Sequence, residues 1–557
     1  MFDGVTTKAV VSELASSLKN AKVNRVMQPT KNEIILETYK EGERHFLEIS
    51  TVPDNCRVCL TNHLKENPQN AYNFCMLLRK HLNSSRIIEV SNYDLERTIE
   101  IKFEAHNELN DIEIKRLYIQ IMSRQSNVIL TNEKRVIIDT LKHFDVENRD
   151  LLPAHIFQFT PILKTSFIEL ETFSDFLDLI SENGEELLSQ KLPEIFIGFS
   201  KNFVLNCIQK LEIDNKKYDY KDLEKLYNYI KDILLKIDTN KISAINFEKD
   251  YVIDLEPKSE VLQVNKFIDE FYYKKEQKDL INQSKNNLLR VVSGLLKKVY
   301  KKLENINQKL KECDDMEKFR LYGELLTANL YKINSNQNLS EITVFNYYEN
   351  KDINIKLDNK VSVSKNIEKF FKKYNKLKNT LSIVTEQKKE TQKEIDYIES
   401  IIFSLENSKN LQDISEVYEE VSENFEIKKN FKNKNQIKSK KQNEIKIEPI
   451  DVLGYKVYVG KNNMQNEYLS LKFAGREDLW FHAQKIHGSH VILKTNGQDD
   501  IPEEVIYKCA CLAKENSKAK NATNVPVDYC QAKFVRRIPN GKSGMVNYTN
   551  FNTIFVK

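Results

Sequence analysis

The chain of 557 residues is too long for one hydrophobic core, so several domains are expected. It carries 85 Lys and Arg against 81 Asp and Glu, and the net charge of +4 is too small to indicate a partner. No apolar run approaches the roughly 20 residues that span a bilayer, and the first residues lack the pattern of a signal peptide, which predicts a cytoplasmic protein. Eight scattered cysteines favour reduced thiols.

Residues 1–165 are predicted to form a mixed α/β domain. Apolar periodicity indicates helices over 6–18 and 74–82. Short apolar runs predict strands at 33–36, 46–49, 86–90, 98–103 and 127–130. Cys56 and Cys59 have the spacing of a metal or redox pair, but residues three apart on a strand face opposite sides, so strand packing is favoured.

Residues 166–270 are predicted to be mainly helical, with apolar periodicity through 173–180 and 223–237. Gly198, Phe199 and Ser200 precede a helix, where the serine can cap the first turn and the exposed amides can bind an anion. Ordinary helix packing is the alternative for this segment.

Residues 271–440 contain two heptad-like apolar patterns. The first comprises Leu288, Val292, Leu295, Val299, Leu303, Ile306 and Leu310, and the second comprises Tyr374, Leu377, Leu381, Val384, Thr391, Ile395, Ile398, Ile402 and Leu405. Together they predict a long antiparallel coiled-coil arm, with a small knob at 316–363 that holds a helix and strands at 342–345 and 353–357. Dimerisation is the usual alternative, but the inserted knob favours an arm that reaches across a large partner.

The second heptad stretch begins with a basic patch interleaved with aromatic residues. Its cations are Lys369, Lys372, Lys373, Lys376 and Lys378. A solvated charged face is the ordinary interpretation, and contact of Lys372, Lys373 and Lys376 with rRNA phosphates is the functional one. The lysine-rich segment 428–446 is expected to be a flexible basic linker, with contact to RNA as an alternative.

Residues 441–557 are predicted to form a small β-rich domain, because Val457 and Val459, and then Leu469, Leu471 and Phe473, alternate with a period of two. Amides, a cation and aromatic rings between these positions suit hydrogen bonding to RNA and stacking on its bases. The candidate RNA-contact residues are Lys461, Asn462, Gln465, Asn466, Trp480, His482, Ser489 and His490. The alternative is that Trp480 and Phe481 are simply core residues. An apolar helix face is expected over 505–513.

The sequence offers little evidence for catalysis or for a bound cofactor. His482, His487 and His490 invite a metal-site interpretation, but no Asp, Glu or Cys at ligand spacing completes the set. Neither a phosphate-binding P-loop nor a nucleophile elbow is found. We therefore expect no metal, no cofactor and no enzymatic activity.

Several motifs resemble one family over the whole chain. VGKNNMQNEYLSLK, DLWFHAQ and GSHV are similar to the carboxy-terminal domain of the NFACT family, whose bacterial members are called RqcH or fibronectin-binding protein A-like. FDG, SRQSNVIL, LYGELLTANLY and NIEKFFKKYNKLKN match in the expected order. The resemblance implies an NFACT-N domain similar to a DNA glycosylase amino-terminal domain, a helix-hairpin-helix region at 166–270 and a carboxy-terminal NFACT-R domain that binds RNA. Phe2 stands where those glycosylases have a nucleophilic proline, so glycosylase chemistry is not implied.

The resemblance also implies a function in ribosome-associated quality control. Such a protein binds a large ribosomal subunit obstructed by peptidyl-tRNA, recruits tRNA(Ala) and extends the nascent chain with alanine without mRNA, while the ribosome performs peptide transfer. A small RNA-binding quality-control partner is implied as well. Glu96 and Arg97 fall on an Asp-Arg pair that the family uses for tRNA. The arginine carries over more securely, because Glu replaces Asp; the alternative is a surface ion pair.

Two other functions remain as alternatives to this one. The first is a fibronectin-binding surface adhesin, which the family's name suggests but which no export signal or wall-anchoring motif supports. The second is a coiled-coil scaffold without an RNA partner, for which high salt would leave the partners bound.

Overall fold

A computed structural model describes residues 2–107, 109, 111–146, 149–159, 163–181, 187–239, 241–255, 263–333, 338–425, 447–498, 500–539 and 541–557. The chain is a mixed α+β protein of two compact units, 1–278 and 279–557. The predicted basic linker at 428–446 lies outside the described residues, which end at residue 425 and resume at residue 447. None of the helices in the described ranges has the length and apolar character that a bilayer-spanning segment needs.

The first unit combines one large sheet with helices. Its helices are α1 (Gly4–Leu18), α2 (Asn73–Leu82), α3 (Phe173–Ser181), α4 (Leu188–Ile195), α5 (Lys201–Lys210), α6 (Tyr220–Ile237) and the first part of α7 (Val264–Cys313). Its strands are β1 (Lys22–Thr30), β2 (Glu33–Lys40), β3 (Glu43–Ser50), β4 (Arg57–Leu60), β5 (Arg86–Asn92), β6 (Thr98–His106), β7 (Ile112–Gln120), β8 (Asn127–Asn132), β9 (Ile137–Thr140), β10 (Asp145–Val146), β11 (Arg149–Asp150), β12 (Ile242–Phe247) and β13 (Asp250–Leu255). The helices and strands predicted for this part are confirmed.

Nine of these strands form an antiparallel sheet in the order β4-β3-β2-β1-β5-β6-β7-β8-β9. Alternate residues of β6, including Ile101 and Phe103, are fully buried in one apolar core with Val10 and Leu14 of α1. This alternation is expected of a strand with one face covered by helices. The sheet brings the start of β6, the end of β7 and the start of β8 to one edge, because Thr98 pairs with Gln120 and Gln120 with Asn127.

The second unit begins with long helices and ends in a β-rich domain. Its helices are the remainder of α7, α8 (Met316–Ala328), α9 (Val363–Asn407), α10 (Leu411–Asn424), α11 (Asn463–Tyr468) and α12 (Glu503–Glu515). Its strands are β14 (Glu341–Asn346), β15 (Lys351–Lys356), β16 (Ile450–Val452), β17 (Tyr455–Val459), β18 (Leu479–Ala483), β19 (Val491–Leu493), β20 (Val525–Gln531), β21 (Val535–Arg537), β22 (Val546–Tyr548) and β23 (Asn552–Val556). Six of them form a sheet in the order β16-β17-β19-β18-β20-β23, with α12 packed against one face.

The two heptad patterns lie on α7 and α9. Leu288 and Val292 of α7 share an apolar cluster with Ile395 and Ile398 of α9, and Val417 of α10 belongs to the same cluster. Helix α10 itself was not predicted from the sequence. Between the long helices, α8 and the β14–β15 hairpin share a separate apolar cluster with the first residues of α9, including Val363 and Ile367.

One predicted strand of the carboxy-terminal domain is wrong. Leu469, Leu471 and Phe473 lie not on a strand but on a π-helical turn, Leu469–Phe473, that continues α11. Asn462 caps α11, because its side chain accepts a hydrogen bond from the backbone N–H of Gln465 at 2.8 Å. The cap starts a helix where the alternation of apolar residues alone indicated extended chain.

Candidate nucleic-acid interface

The Glu96-Arg97 pair lies in a tight turn between β5 and β6. Arg97 is exposed and Glu96 is half-buried. Burial, and then the nearby carboxylate of Asp94, raise the pKa of Glu96. No ion pair joins the two side chains in the described part of the chain, so the surface ion pair considered above does not form and the Arg97 guanidinium faces solvent.

This turn is packed tightly against two glycines from distant parts of the sequence. Leu95 is fully buried, and the N–H of Gly4 donates to the carbonyl oxygen of Gly198 at 2.9 Å. A Cβ atom on Gly4 would lie 1.9 Å from the carbonyl oxygen of Leu95, and one on Gly198 would lie 2.3 Å from the same atom. Only glycine fits at both positions, and Gly198 also has a φ of +77°. The glycines therefore fix the backbone that carries Arg97.

Asp3 and Ser200 complete this support. One carboxylate oxygen of Asp3 accepts from the N–H of Thr6 and caps α1, while the other accepts from the hydroxyl of Ser200 at 2.6 Å. Ser200 in turn caps α5, as its sequence position predicted, by accepting from the N–H of Phe203. The FDG and GFS segments thus meet behind the turn, a juxtaposition that neither motif indicates by itself.

A second exposed arginine lies beside Arg97. The N–H of Ile121, just after β7, donates to the carbonyl oxygen of Arg97 at 2.9 Å. The chain then turns through Ser123, which has a φ of +50°, and exposes Arg124 and Gln125. The hydroxyl of Ser126 accepts from the N–H of Met122 at 2.8 Å and holds this loop. Two exposed arginines and an exposed glutamine consequently lie in neighbouring segments at one edge of the sheet.

The amides predicted to contact RNA are buried instead against α10. The exposed fractions of Asn462 and Gln465 are 1% and 4%. Their side-chain amides both donate to one carboxylate oxygen of Glu416, each at 2.7 Å. Lys461 lies 3.4 Å from Asp413 on the same helix and remains partly exposed. In this structure the amides join the β-rich domain to α10, and their contact with RNA stays a prediction.

A neighbouring residue of α11 reinforces the same junction. The amide of Asn463 donates to Glu420 at 2.9 Å, and the Tyr397 hydroxyl donates to the same carboxylate oxygen at 2.8 Å. Burial raises the pKa of Glu420 to about 7, with Glu423 and Glu467 adding to the rise, against the lowering effect of the two hydrogen bonds.

Asn466 holds the turn that contains Ser489 and His490. Its carbonyl oxygen accepts from the N–H of His490 at 2.9 Å, and its amide donates to the carbonyl oxygen of Gly488 at 3.3 Å. Ser489 is buried, and its N–H donates to the carbonyl oxygen of Asn516. These predicted RNA contacts are therefore occupied within the domain.

The expectation that Trp480 presents an exposed ring is wrong. The indole is fully buried, and its N–H donates to the hydroxyl of Ser470 at 3.0 Å. Ser470 also bonds Nδ1 of His490 at 2.7 Å, and the His482 ring stacks on the indole. Burial lowers the pKa of His482 to about 4 and lowers that of His490, so both imidazoles are neutral near pH 7. The core interpretation of Trp480 is the correct one.

The predicted rRNA contacts on the long helix are exposed. Lys372, Lys373 and Lys376 all lie on the first half of α9. The ammonium group of Lys373 lies 4.0 Å from the centre of the Phe319 ring, and that of Lys372 lies 3.7 Å from Glu368. The positions suit either interpretation, a solvated face or a phosphate contact.

Of the described His, Cys, Asp and Glu side chains, one group has the spacing of a metal site. Glu48, Cys59 and Asp269 come within 4.8 Å of one another. However, the guanidinium of Arg57 lies 2.8 Å from Glu48 and supplies a positive charge there already. Cys56 and Cys59 are free thiols, and Cys59 lies on β4 as the strand interpretation predicted.

Comparison with known proteins covers both ends of the chain. The model of the NFACT N-terminal and middle domains matches residues 3–442, and that of the NFACT protein RNA binding domain matches residues 449–550. The chain belongs to the NFACT family. The first match includes Arg97, Arg124 and the glycines behind them. The second includes residues 462–466, the amide segment whose side chains bond to α10.

Two relatives align with this chain along nearly their full length. The Rqc2 homolog RqcH of Bacillus subtilis (strain 168) is 33% identical, over 100% of this chain and 97% of that protein. The Rqc2 homolog RqcH of Streptococcus pneumoniae serotype 2 is 29% identical, with the same coverage. Among solved structures, the C-terminal part of the fibronectin/fibrinogen-binding protein from Streptococcus suis is 30% identical and covers 50% of this chain and 94% of that one, with a TM-score of 0.38.

Proposed function

We propose that this NFACT protein acts in ribosome-associated quality control in the cytoplasm. In this proposal it binds large ribosomal subunits obstructed by peptidyl-tRNA and recruits tRNA(Ala). The stalled chain is then extended with alanine without mRNA and is marked for degradation. The full-length similarity to proteins named Rqc2 homolog RqcH supports this assignment.

The observation that carries the proposal is the braced, exposed Arg97 beside Arg124. A guanidinium can bind phosphate through two hydrogen bonds or stack on an unpaired base, and both contacts serve tRNA recognition. Rigid support matters because a group that is already in place loses less entropy on binding. Gly4, Gly198 and the Asp3 hydrogen bonds provide that support from the side away from solvent. Glu96 is half-buried and less available than Arg97.

In this proposal the long helices extend the protein across the ribosomal subunit. We interpret α7 and α9 as an antiparallel coiled-coil arm, with α8 and the β14–β15 hairpin as its knob. At 1.5 Å per residue, the 45 residues of α9 extend about 68 Å, enough to cross a large part of a ribosomal subunit. Lys372, Lys373 and Lys376 would contact rRNA phosphates along it. The protein positions tRNA and the ribosome performs peptide transfer, so no enzymatic activity is assigned.

Sucrose-gradient sedimentation with sequencing of the bound RNA tests this proposal. Wild-type protein is expected to migrate with free large subunits and to retain tRNA, with tRNA(Ala) enriched. Arg97→Ala and Arg124→Ala should each reduce the tRNA while leaving protein in the subunit fraction. Arg44→Ala, a change to an exposed arginine in the β2–β3 hairpin, is the matched control and should behave like wild type.

Two results would contradict the proposal. If the protein stays at the top of the gradient without RNA at low salt, the proposed ribosomal function is refuted. If it is detected only at the cell surface, a fibronectin-binding adhesin is favoured. Retention of normal tRNA by both arginine variants would leave ribosome binding intact but refute the assigned site. The amino acid added to nascent chains is read separately, by mass spectrometry of their carboxyl termini.

A further inference from the structure

A cleft opens on the carboxy-terminal domain, and its lining residues do not include those of the amide segment. Its volume of about 360 Å³ falls within the roughly 300 to 1,000 Å³ of small-ligand sites. Leu479, Ile506 and Tyr529 supply apolar surface, while Gln498, Gln531 and Asn552 supply amides. The domain matches the NFACT protein RNA binding domain, and the side-chain amides of Asn462 and Gln465 donate to α10, so this cleft is a second surface of the domain to consider for RNA.

Strand pairing sets the arrangement of this cleft. Leu479 of β18 pairs with Gln531 of β20, and Tyr529 of β20 pairs with Asn552 of β23. Directly paired residues project from the same face of a sheet, so two apolar groups and two amides alternate across neighbouring strands. The ring of Tyr529 is stacked at 17° on that of Phe481, with centres 5.5 Å apart, which orients it.

Among the described residues, two of the cleft amides have a side-chain partner on one side only. The NH2 of Gln531 donates to Glu477 at 2.9 Å, which leaves its carbonyl oxygen to accept. The carbonyl oxygen of Gln498 accepts from the hydroxyl of Tyr455 at 2.8 Å, which leaves its NH2 to donate. The cleft therefore offers an oriented acceptor and an oriented donor beside apolar and aromatic surface.

We propose that this cleft binds an unpaired base of single-stranded RNA. A nucleobase is a flat ring with donors and acceptors along one edge, and single-stranded RNA is recognised by stacking together with hydrogen bonds to such edges. Arg476 is exposed and immediately precedes Glu477 at the rim, where its guanidinium can meet the adjoining phosphate. The inference rests on the proposed function only in taking RNA as the ligand, and it assigns the ligand a new site.

Fluorescence anisotropy of the full-length protein with labelled ten-nucleotide rA, rC and rU oligomers tests the cleft. Wild type is expected to prefer one base. Gln498→Ala combined with Gln531→Ala should weaken the preferred oligomer about tenfold and remove the difference among the three. Arg476→Ala should weaken all three equally and reduce the slope of log affinity against log salt by about 1. Asn521→Ala, which changes an exposed amide outside the cleft, is the control.

Asn552→Ala serves as a second, gentler variant, since Asn552 is exposed at the cleft and the double variant breaks two internal hydrogen bonds. Wild-type affinity and base preference in both variants would overturn the proposal, as would a wild-type chain that binds none of the oligomers. Failure of the proposed function is recognised separately, because wild-type protein would then be absent from the ribosomal fractions. If only the cleft is wrong, the variants still sediment with large subunits.

Discussion

Replacing Glu420 by glutamine should stabilise the second unit at pH 8. Glu420 lies on α10, is 1% exposed and accepts hydrogen bonds from Tyr397 and Asn463 through one carboxylate oxygen. Its second oxygen is buried, and none of the residues that the structure describes gives it a hydrogen-bond partner. Burial raises the pKa of this carboxyl from its usual value near 4.5 to about 7, a difference equivalent to about 3 kcal/mol. Glutamine has a similar shape and carries no charge to bury.

The sign of the pH dependence follows from the raised pKa. Between about pH 4.5 and 7 the folded chain holds a proton that the unfolded chain has released, so the free energy of unfolding falls as pH rises through this window. At pH 8 the wild-type protein has lost all of the stability that protonation of Glu420 contributes at low pH. The stability of Glu420→Gln should not change through this window, because glutamine does not titrate. The variant is therefore expected to gain up to about 3 kcal/mol relative to wild type between pH 4.5 and 8.

The single tryptophan makes this measurement specific. Trp480 is fully buried in the carboxy-terminal domain, so its fluorescence follows unfolding of that domain during urea titration of the full chain. Glu390→Gln removes an exposed carboxylate from α9 and should reproduce the wild-type pH profile. The reasoning is refuted if Glu420→Gln and wild type keep the same stability difference at pH 5 and pH 8.

Three further substitutions test separate parts of the structure. Gly4→Ala places a Cβ atom 1.9 Å from the carbonyl oxygen of Leu95 and should lower the free energy of unfolding by about 1–3 kcal/mol, measured by thermal unfolding. Recovery of tRNA on gradients should fall as it does for the arginine variants. Normal tRNA recovery would show that the turn tolerates the shift. Trp480→Phe loses the hydrogen bond to Ser470 and should lower the free energy of unfolding by about 1–2 kcal/mol without changing RNA affinity in anisotropy assays. Weaker RNA binding by the folded variant would instead support stacking of Trp480 on RNA. Lys373→Ala should reduce the salt slope of ribosome co-sedimentation by about 1, and an unchanged slope would favour a solvated face.

Strong periodic patterns allowed much of the fold to be predicted. The stripe containing Val10 and Leu14 became the buried face of α1, and the heptad positions Leu288 and Ile395 became members of one apolar cluster. These predictions succeeded because burial against any neighbour enforces the period of the element, whatever that neighbour is. Helix α10 lacked such a long pattern and was missed.

Contacts between distant segments could not be predicted in the same way. The spacing of Gly4 and Gly198 in the sequence contains no information that both meet Leu95, and only the packed backbone reveals why a side chain is excluded at each. Similarly, the alternation of Leu469, Leu471 and Phe473 predicted a strand although Asn462 can cap a helix. Helix α11 is short and ends in a π-helical turn, so its apolar residues do not show the 3.6-residue period of an α-helix.

The amide segment shows how a polar motif can satisfy two opposite interpretations. Side-chain amides bind RNA well, but carboxylates that are buried or partly buried also need hydrogen-bond donors. On α10, Glu416 and Glu420 accept from these amides, and Asp413 lies 3.4 Å from the ammonium group of Lys461. Asp413, Glu416 and Glu420 are spaced by three and four residues, so they share one helix face, and the apolar residues Val417 and Val421 lie buried beside them. An acidic stripe next to an apolar one is a signal for docking with a donor-rich surface, and it was present in the sequence. These carboxylates hold the amides of Asn462, Asn463 and Gln465 in a fixed geometry.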